Sequence, residues 1–360
     1  MSLFTVGPVE MYPETLEIRS HQIPYFRTPE FSEMMNKMDE KLKKMVGTSQ
    51  KSKTIYLTAS GTAGMEAVVM NSFNRHDKLL IVNGGTFGQR FVDICQIHQI
   101  PYQEINIPFG ESLTQEKLNA FENENLTGFL VNLDESSTGQ LYDIHLISDF
   151  CKRKELYLIV DAITTFLCDP YEMDQFGIDA TILSSQKGLC LAPGLSMVIL
   201  NRRIIQNKIL SNSCQTLYFD FKEYLKNIDR GQTPYTPCVG ILMELNEMLT
   251  RIEKQGLENH LKNIEKNVVY FRETLKKIPV TIPKYPLSNA MTPIIFKDAI
   301  ATEVFEYLKN ESDLYINPTG GIMKNKMIRV AHIGNHTIED YRYLIEDLKT
   351  ACDQVCQKIN

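Results

Sequence analysis

The sequence predicts an α/β fold in which a mostly parallel sheet with helices on both faces precedes a smaller α+β region. Two observations carry this prediction. Residues 54–200 contain short apolar runs that alternate with helical segments, which is typical of parallel strands buried on both faces. Residues 240–278 have an almost entirely helical pattern, and short strands and two further helices follow them.

Six apolar runs are the candidate strands of the parallel sheet. Each is four or five residues long, rich in Val, Ile and Leu, and ends at a small or polar residue. The predicted strands cover 54–58, 79–82, 128–131, 156–160, 180–183 and 196–200, and the helices between them cover 63–73, 88–98 and 146–154.

The segment 240–278 separates the two regions. Leu and Ile recur there at intervals of three and four, with Lys and Glu on the opposite face, as in an amphipathic helix. Beyond it we predict strands at 280–282, 292–296 and 327–330 and helices at 301–309 and 338–356. We therefore expect a large domain over 16–255 and a small C-terminal domain over 256–360.

Composition excludes several classes of protein. The 360 residues carry 38 Lys and Arg against 44 Asp and Glu, a net charge of −6, and form no basic cluster that would bind nucleic acid. No apolar run approaches the roughly 18–20 residues that span a bilayer, and the N-terminus lacks the pattern of a signal peptide. The eight cysteines form no C-x-x-C pair. We expect a cytoplasmic protein with reduced thiols, no metal site, and neither nucleic-acid nor membrane partners.

Polar residues follow three of the predicted strands, where ligands bind in parallel α/β sheets. Ser60-Gly61-Thr62 opens a helix, so its N–H groups and hydroxyls suit a phosphate; a simple helix cap is the equal alternative. Asp161 ends an apolar strand, where a carboxylate needs a partner. Lys187 lies between small residues after the next strand, a setting that suits Schiff-base chemistry. A structural salt bridge for Asp161 and a solvated lysine are the simpler alternatives.

The combination favours one cofactor. A phosphate site, a carboxylate at a strand end and a lysine in an apolar setting, in this order on one sheet, are the groups that pyridoxal 5′-phosphate (PLP) requires. The lysine would form a Schiff base, the carboxylate would keep the pyridine nitrogen protonated, and the helix N-terminus would hold the phosphate.

The motifs resemble those of the class V aminotransferases of PLP fold type I, in the branch of the alanine–glyoxylate, serine–pyruvate and 2-aminoethylphosphonate–pyruvate aminotransferases. The resemblance runs nearly end to end and implies a large domain with a mostly parallel seven-stranded sheet. It also implies that residues 1–15 form an N-terminal segment bordering the active site. Its most specific segments are 60–62, 83–90 (Asn-Gly-Gly-Thr-Phe-Gly-Gln-Arg), 135–139 (Glu-Ser-Ser-Thr-Gly), 160–162 and 184–188 with 193–194.

The resemblance assigns roles around the cofactor. Lys187 would hold PLP and shuttle the proton, as general base and acid. Asp161 would pair with the ring nitrogen, Phe87 would stack on the ring, and Ser136 would contact the 3-hydroxyl region. The phosphate would be held by Ser60, Gly61, Thr62 and Gln186. Because the chain has no tryptophan, which many relatives carry at the stacking position, Phe87 has to fill it.

Further residues would bind substrate or reach a second subunit. Arg329, in Ile-Arg-Val-Ala-His, matches the family's arginine for the substrate carboxylate, and a guanidinium grips a carboxylate through two hydrogen bonds. Gly7 would border the substrate, although Val6 replaces a usual proline. Thr236 would reach the phosphate in the neighbouring subunit, which implies a homodimer with shared active sites. Thr233 stands where some relatives have tyrosine.

The resulting hypothesis is a PLP-dependent aminotransferase with ping-pong kinetics, which moves an amino group from alanine or serine to a 2-oxo acid such as glyoxylate or pyruvate. The alternative is a 2-aminoethylphosphonate–pyruvate aminotransferase, in which Arg27 or Arg90 would bind the phosphonate. We favour structural ion pairs for both arginines. Cysteine desulfuration on the same fold is disfavoured. A non-catalytic nucleotide-binding protein is disfavoured too, because G-x-G-x-x-G and P-loop signatures are missing.

Overall fold

The computed structural model describes residues 1–359, in which fourteen strands form a large sheet, a small sheet and a hairpin. The strands are β1 (Ser2–Phe4), β2 (Lys53–Leu57), β3 (Leu79–Asn83), β4 (Tyr102–Asn106), β5 (Gly128–Asn132), β6 (Asp134–Glu135), β7 (Gln140–Leu141), β8 (Tyr157–Asp161), β9 (Ala180–Ser184), β10 (Ser196–Leu200), β11 (Val280–Thr281), β12 (Met291–Phe296), β13 (Leu314–Pro318) and β14 (Met327–Ala331).

The large sheet has seven strands in the order β2-β10-β9-β8-β5-β3-β4. Neighbours from β9 to β4 pair in parallel, whereas β10 is antiparallel to both β9 and β2. The predicted fold class, an α/β protein with a mostly parallel seven-stranded sheet, is confirmed.

Twelve α-helices accompany these strands in the described part of the chain. They are α1 (Pro13–Ile18), α2 (Pro29–Val46), α3 (Gly61–Ser72), α4 (Thr86–Ile97), α5 (Gln115–Asn119), α6 (Ile144–Arg153), α7 (Arg202–Ile204), α8 (Phe221–Ile228), α9 (Val239–Gln255), α10 (Leu257–Leu275), α11 (Ala301–Ser312) and α12 (Ile338–Ile359).

Both faces of the large sheet are covered, because alternate strand residues point into two separate cores. Leu80 and Val82 of β3 pack with residues of α2, α6 and α9. Leu79 and Ile81 of the same strand pack on the other face, with residues of α3, α4 and α8. This sandwich explains why the parallel strands read as continuous apolar runs.

A second sheet lies at the C-terminal end, in the order β1-β13-β14-β12-β11. Its core joins the apolar sides of α10, α11 and α12 to Ile294, Ile328 and Phe4. The N-terminal strand β1 belongs to this sheet through parallel pairing with β13. The N-terminal segment therefore joins the C-terminal sheet before it passes the functional site.

The sequence prediction omitted several elements, among them α2, β4 and β13, and merged two helices into one. Strand β4 was missing from the prediction: as an edge strand it pairs only with β3 and carries Gln103 and Glu104, so it lacks an apolar run. The single helix predicted over 240–278 is two helices, α9 and α10, separated by Gly256. Gly256 has a φ of +85°, which glycine tolerates and which stops the helix.

No helix in the described part of the chain is long and apolar enough to cross a membrane. Cys95, Cys151 and Cys168 are buried thiols outside any disulfide, and burial raises the pKa of the Cys95 thiol to about 12, so Cys95 is an inert core residue.

Candidate active site

The polar residues singled out in the sequence meet at the carboxyl edge of the large sheet. Asp161 is the last residue of β8, Lys187 follows β9, and Ser60 lies between β2 and α3. They line one cavity of about 130 Å³. Its lining comprises Ser60, Gly61, Thr62, Met65, Phe87, Arg90, Asp134, Ser136, Asp161, Ile163, Thr164, Gln186 and Lys187.

Lys187 extends into this cavity without donating a hydrogen bond to any described residue. Burial, and after it the nearby Arg329, lower the pKa of its amine to about 8. The N-terminal segment presses against it: a Cβ on Gly7 would lie 2.9 Å from the Lys187 Cδ, and Gly7 has a φ of +150°. Only glycine suits this close approach. Lys187 is thus a buried amine that deprotonates close to neutral pH.

Asp161 is buried beneath the same cavity. Its carboxylate accepts a hydrogen bond from the backbone N–H of Ile163 (2.8 Å), and no cation among the described residues forms an ion pair with it. Burial raises its pKa to about 7, against the opposing effects of that hydrogen bond and of Lys187. A carboxylate in this state gains from a cationic partner such as a protonated pyridine nitrogen.

The start of α3 forms an anion cradle. Ser60 occupies the N-cap position, but its side chain makes no capping hydrogen bond, which removes the simple-cap interpretation for this residue. The Thr62 hydroxyl accepts a hydrogen bond from Arg90 Nη1 (3.0 Å). The Gln186 amide oxygen accepts one from Ser184 (2.7 Å), which leaves its NH₂ group free for a ligand. This donor set suits a phosphate.

Phe87 lies in the first turn of α4, with its ring lining the cavity. The Arg90 guanidinium carbon is 4.7 Å from the centre of that ring. Phe87 and Asp161 therefore line the same cavity, where the sequence analysis predicts the cofactor ring.

Glu135 holds this aromatic residue in place, a role that the sequence did not reveal. Its carboxylate is fully buried and accepts hydrogen bonds from the backbone N–H groups of Phe87 (3.2 Å) and Gly88 (2.9 Å). It also accepts from Asn132 Nδ2 (3.0 Å) and from the Ser137 hydroxyl. An anion at a helix N-terminus is favourable, so Glu135 anchors the turn that carries Phe87.

Arg329 borders the neighbouring space. Its Nη1 donates to the carbonyl of Ser136 (2.6 Å) and its Nη2 to the carbonyl of Pro318 (2.8 Å), while Nε has no partner among the described residues. It lines a second cavity of about 430 Å³, which shares Phe87 with the first. The guanidinium is therefore held by backbone carbonyls beside the cofactor cavity.

Of the predicted site residues that do not line the first cavity, Gly7 lies against Lys187 and Arg329 lines the second cavity, which leaves Thr236. It is exposed and lines neither cavity.

The expectation that Arg27 and Arg90 form structural ion pairs is wrong. Arg27 donates to Gln232 Oε1 (3.0 Å) and to the carbonyls of Thr233 and Pro234, so it secures a loop. Arg90 bonds the Thr62 hydroxyl and stacks on Phe87. Neither forms an ion pair with a carboxylate of the described residues, and Arg90 lines the cavity.

These residues fit PLP. An uncapped serine at a helix start, a buried carboxylate without a cation, an amine without a hydrogen bond and an aromatic face together supply each contact that the cofactor needs. Fold and site thus define the class of PLP-dependent transferases of fold type I.

Comparison with known proteins narrows this class to one family. The sequence profile described as "Aminotransferase class-V" matches residues 18–320, and the chain belongs to this family. It is therefore a PLP-dependent aminotransferase.

Two relatives and one solved structure illustrate the similarity. The L-aspartate–glyoxylate aminotransferase of Paracoccus denitrificans is 25% identical over 93% of this chain and 87% of its own. The serine–glyoxylate aminotransferase of Methylorubrum extorquens is 25% identical over 92% and 86%. The crystal structure of an alanine–glyoxylate aminotransferase from Nostoc sp. superimposes with a TM-score of 0.91 at 26% identity, over 97% of this chain and 94% of its own.

Proposed function

We propose that this protein is a cytoplasmic, homodimeric aminotransferase that moves the amino group of a small donor, alanine or serine, to a 2-oxo acid such as glyoxylate or pyruvate. The observation that carries the proposal is the single cation of the second cavity. Among its described lining residues Arg329 alone is charged, beside Phe109, Ile322 and Met323. One guanidinium suits one carboxylate, and the rest of the described lining, in which Thr86, Ser137, Thr138 and Thr319 accompany the apolar residues, offers no second cation for another carboxylate on the donor.

The roles of the residues follow from their positions. PLP, when bound, acts as an electron sink for the carbon that carries the amino group. Lys187, with a pKa lowered to about 8, is available as a neutral amine that takes a proton from the substrate and returns it. Asp161 would hold a proton on the ring nitrogen, and Arg329 would orient the substrate carboxylate. Donor and acceptor then occupy the same site in turn, which predicts ping-pong kinetics.

The relatives support a glyoxylate-type acceptor, since both curated names and the solved structure specify glyoxylate. Their donors differ: aspartate, serine and alanine. The donor is therefore argued from the lining of the second cavity, and not from the names.

A donor screen tests the proposal. PLP-loaded protein is mixed with alanine, serine, aspartate, glutamate or 2-aminoethylphosphonate, and the visible band of the bound cofactor is followed. Alanine or serine should bleach the band, and glyoxylate or pyruvate should restore it. Arg329→Gln serves as the control and should weaken every carboxylate donor. Bleaching by aspartate or glutamate alone would overturn the small-donor proposal.

Arg90 supports the alternative donor, 2-aminoethylphosphonate, because it lines the cofactor cavity and forms no ion pair with a carboxylate of the described residues. Arg27 does not, since it is engaged with backbone carbonyls. If 2-aminoethylphosphonate bleaches the band and Arg329→Gln leaves that reaction unchanged, the alternative replaces the main proposal.

Exposed apolar residues support the dimer. Leu217 and Tyr25 are 76% and 69% exposed, and Leu217 lies in the region of the chain that leads to Thr236. If Thr236 reaches the partner's cofactor, a subunit with Lys187→Ala and another with Thr236→Ala combine into a hybrid with one intact site. That hybrid should bind PLP with parental affinity at half of its sites. Thr233→Ala, whose hydroxyl donates to the carbonyl of Tyr235, is the matched control.

A further inference from the structure

Asp134 is the least satisfied carboxyl group of the cofactor cavity. It follows β5, is 4% exposed, and lines the cavity together with Asp161, Ser136 and Lys187. Both of its carboxyl oxygens are buried, and neither has a hydrogen-bond partner among the described residues. A buried carboxylate without a donor or cation is costly. We therefore expect a ligand that enters the cavity to supply the missing hydrogen-bond partner.

Glu135, the next residue, has the hydrogen-bond partners that the Asp134 carboxyl group lacks. The Glu135 carboxylate accepts from Phe87, Gly88, Asn132 and Ser137 and is structurally saturated. Asp134 is equally buried but has no such network. The two neighbours therefore have different roles, and that of Asp134 is not to stabilise the loop.

We propose that Asp134 faces the cavity as a neutral carboxylic acid and donates a hydrogen bond to the ring hydroxyl oxygen of PLP. This inference rests on the proposed function, because it requires the ring nitrogen of PLP to lie at Asp161.

The order of strands supports the placement. The phosphate cradle lies at β2 and β9, on one side of Asp161 in β8. Asp134 follows β5, the neighbour of β8 on the other side. In PLP the ring oxygen and the phosphate arm flank the aldehyde carbon, on opposite sides of the axis through the nitrogen. A ring with its nitrogen at Asp161 and its phosphate toward β9 therefore directs its oxygen toward β5 and Asp134.

The charges around Asp134 favour its neutral form. PLP and a 2-oxo acid both bring negative charge, and Glu135, Asp161 and Asp169 already surround this position, so an ionised Asp134 would repel the ligands. Burial first, and these acids next, hold its pKa well above the usual range, which Lys187 only partly opposes. The other titratable or charged groups that interact with it are Tyr142, Arg272, Tyr285 and Arg329.

Two variants and two ligands test the hydrogen bond. Asp134→Asn keeps a donor of similar shape, whereas Asp134→Leu keeps the volume without one. The affinity of ligand-free protein is measured for PLP and for 3-deoxypyridoxal phosphate, which lacks only the ring oxygen. Asp134→Leu should weaken PLP by about 3- to 10-fold, Asp134→Asn should weaken it less, and the deoxy ligand should bind all three proteins alike. Equal losses for both ligands would overturn the proposal, because they would indicate a packing effect.

The protonation state is tested separately by infrared spectroscopy of the ligand-free protein at neutral pH. The difference spectrum between the parent and Asp134→Asn should contain the carbonyl band of a protonated carboxylic acid. A carboxylate band in its place would overturn the proposal.

Failure of the underlying function has its own signature. Borohydride reduction of the PLP-loaded parent, followed by peptide mass analysis, should find the cofactor on Lys187. If it does not, the proposed function fails; if it does and the Asp134 variants behave like the parent, only this inference fails.

Discussion

Buried aspartates at the amino ends and at the carboxyl ends of the parallel strands, called here the amino edge and the carboxyl edge of the large sheet, have different hydrogen-bond partners. At the amino edge, Asp179 precedes β9 and accepts hydrogen bonds from Leu158 N (3.0 Å), Asn201 Nδ2 (2.9 Å) and Arg203 Nη1 (2.9 Å). At the carboxyl edge, Asp161 accepts from one backbone N–H. Burial raises the pKa of both.

The difference separates structural groups from groups that await a ligand. The partners of Asp179 offset part of the cost of its burial within the chain, although its pKa stays raised. The cost of burying Asp161 is only partly offset by the Ile163 N–H and by the nearby Lys187 and Arg90, and a cationic partner that binds directly would offset more of it. Substitutions at the amino edge should therefore lower stability, whereas those at the carboxyl edge should lower ligand binding and activity.

The largest expected effect is at Lys187. Lys187→Ala should lower transamination by more than about 10³-fold, because the amine that moves the proton is lost. The fold should persist, since the amine makes no hydrogen bond within the described residues. Steady-state kinetics and a melting curve test both statements. A variant that kept the visible band of the bound cofactor unchanged would contradict the assignment.

Asp161→Asn should stabilise the ligand-free protein while it weakens PLP binding. The pKa of Asp161 is about 7 in the folded protein and about 4 in the unfolded chain. The folded state thus holds the proton more tightly, and stability is lost as pH rises from about 4 to about 7. Above pH 7 the free energy of unfolding of the variant should exceed that of the parent by about 2–4 kcal/mol. Below pH 4 the two proteins should be equally stable.

Urea unfolding of both proteins at pH 4 and pH 8 measures this difference. A variant that is less stable than the parent at pH 8 would show that Asp161 has a structural role, and would break the contrast between the edges.

Asp179→Ala should give the opposite result. It removes the partner of the Leu158 N–H and of Arg203, and should cost about 1–3 kcal/mol in stability. This cost lies below the roughly 3–5 kcal/mol of a fully buried broken pair, because the Arg203 side chain is 40% exposed and regains water. PLP affinity, measured by visible titration, should not change. A marked loss of PLP affinity would refute the separation of roles.

Glu135→Gln tests whether the role of a buried carboxyl group depends on how many hydrogen bonds it accepts or on the edge of the sheet at which it lies. The amide would turn an NH₂ group toward N–H donors, so we expect a loss of about 1–2 kcal/mol in stability together with weaker PLP binding. Glu135→Asp, which keeps the charge, is the matched control. An unchanged melting temperature in Glu135→Gln would count against the anchoring role.

The smallest expected effect is at Phe87. Phe87→Ala should weaken PLP binding by about 3- to 10-fold, the usual value of a ring contact of about 0.5–1.5 kcal/mol. Phe87→Tyr should restore the affinity. If the alanine variant and the parent bind PLP with equal affinity, Phe87 does not contact the cofactor.

Apolar periodicity alone was enough to predict most of the large sheet, because its strands are buried on both faces. It failed where a strand is exposed: β4 carries Gln103 and Glu104 at the edge and has no apolar run. It also merged α9 and α10, since the amphipathic pattern continues across Gly256. Lys187, Asp161 and Ser60 were found because each directly follows a recognisable strand.

The residues whose role the sequence analysis did not predict are those that depend on contacts between distant segments. Glu135 is separated from Phe87 by 48 residues, and only the structure shows their hydrogen bond. Arg90 was expected to pair with a carboxylate, but it bonds Thr62 and faces the cavity.

The sequence by itself determined the fold class and the order of the chemical groups, because strand burial and strand-end polarity are local properties that short stretches of residues encode. The tertiary structure alone decided which buried carboxyl groups are satisfied. Asp134, Glu135, Asp161 and Asp179 are all acids in or beside apolar strands. Whether each has partners depends on side chains from other strands and helices, and this separates the structural acids from those left for PLP.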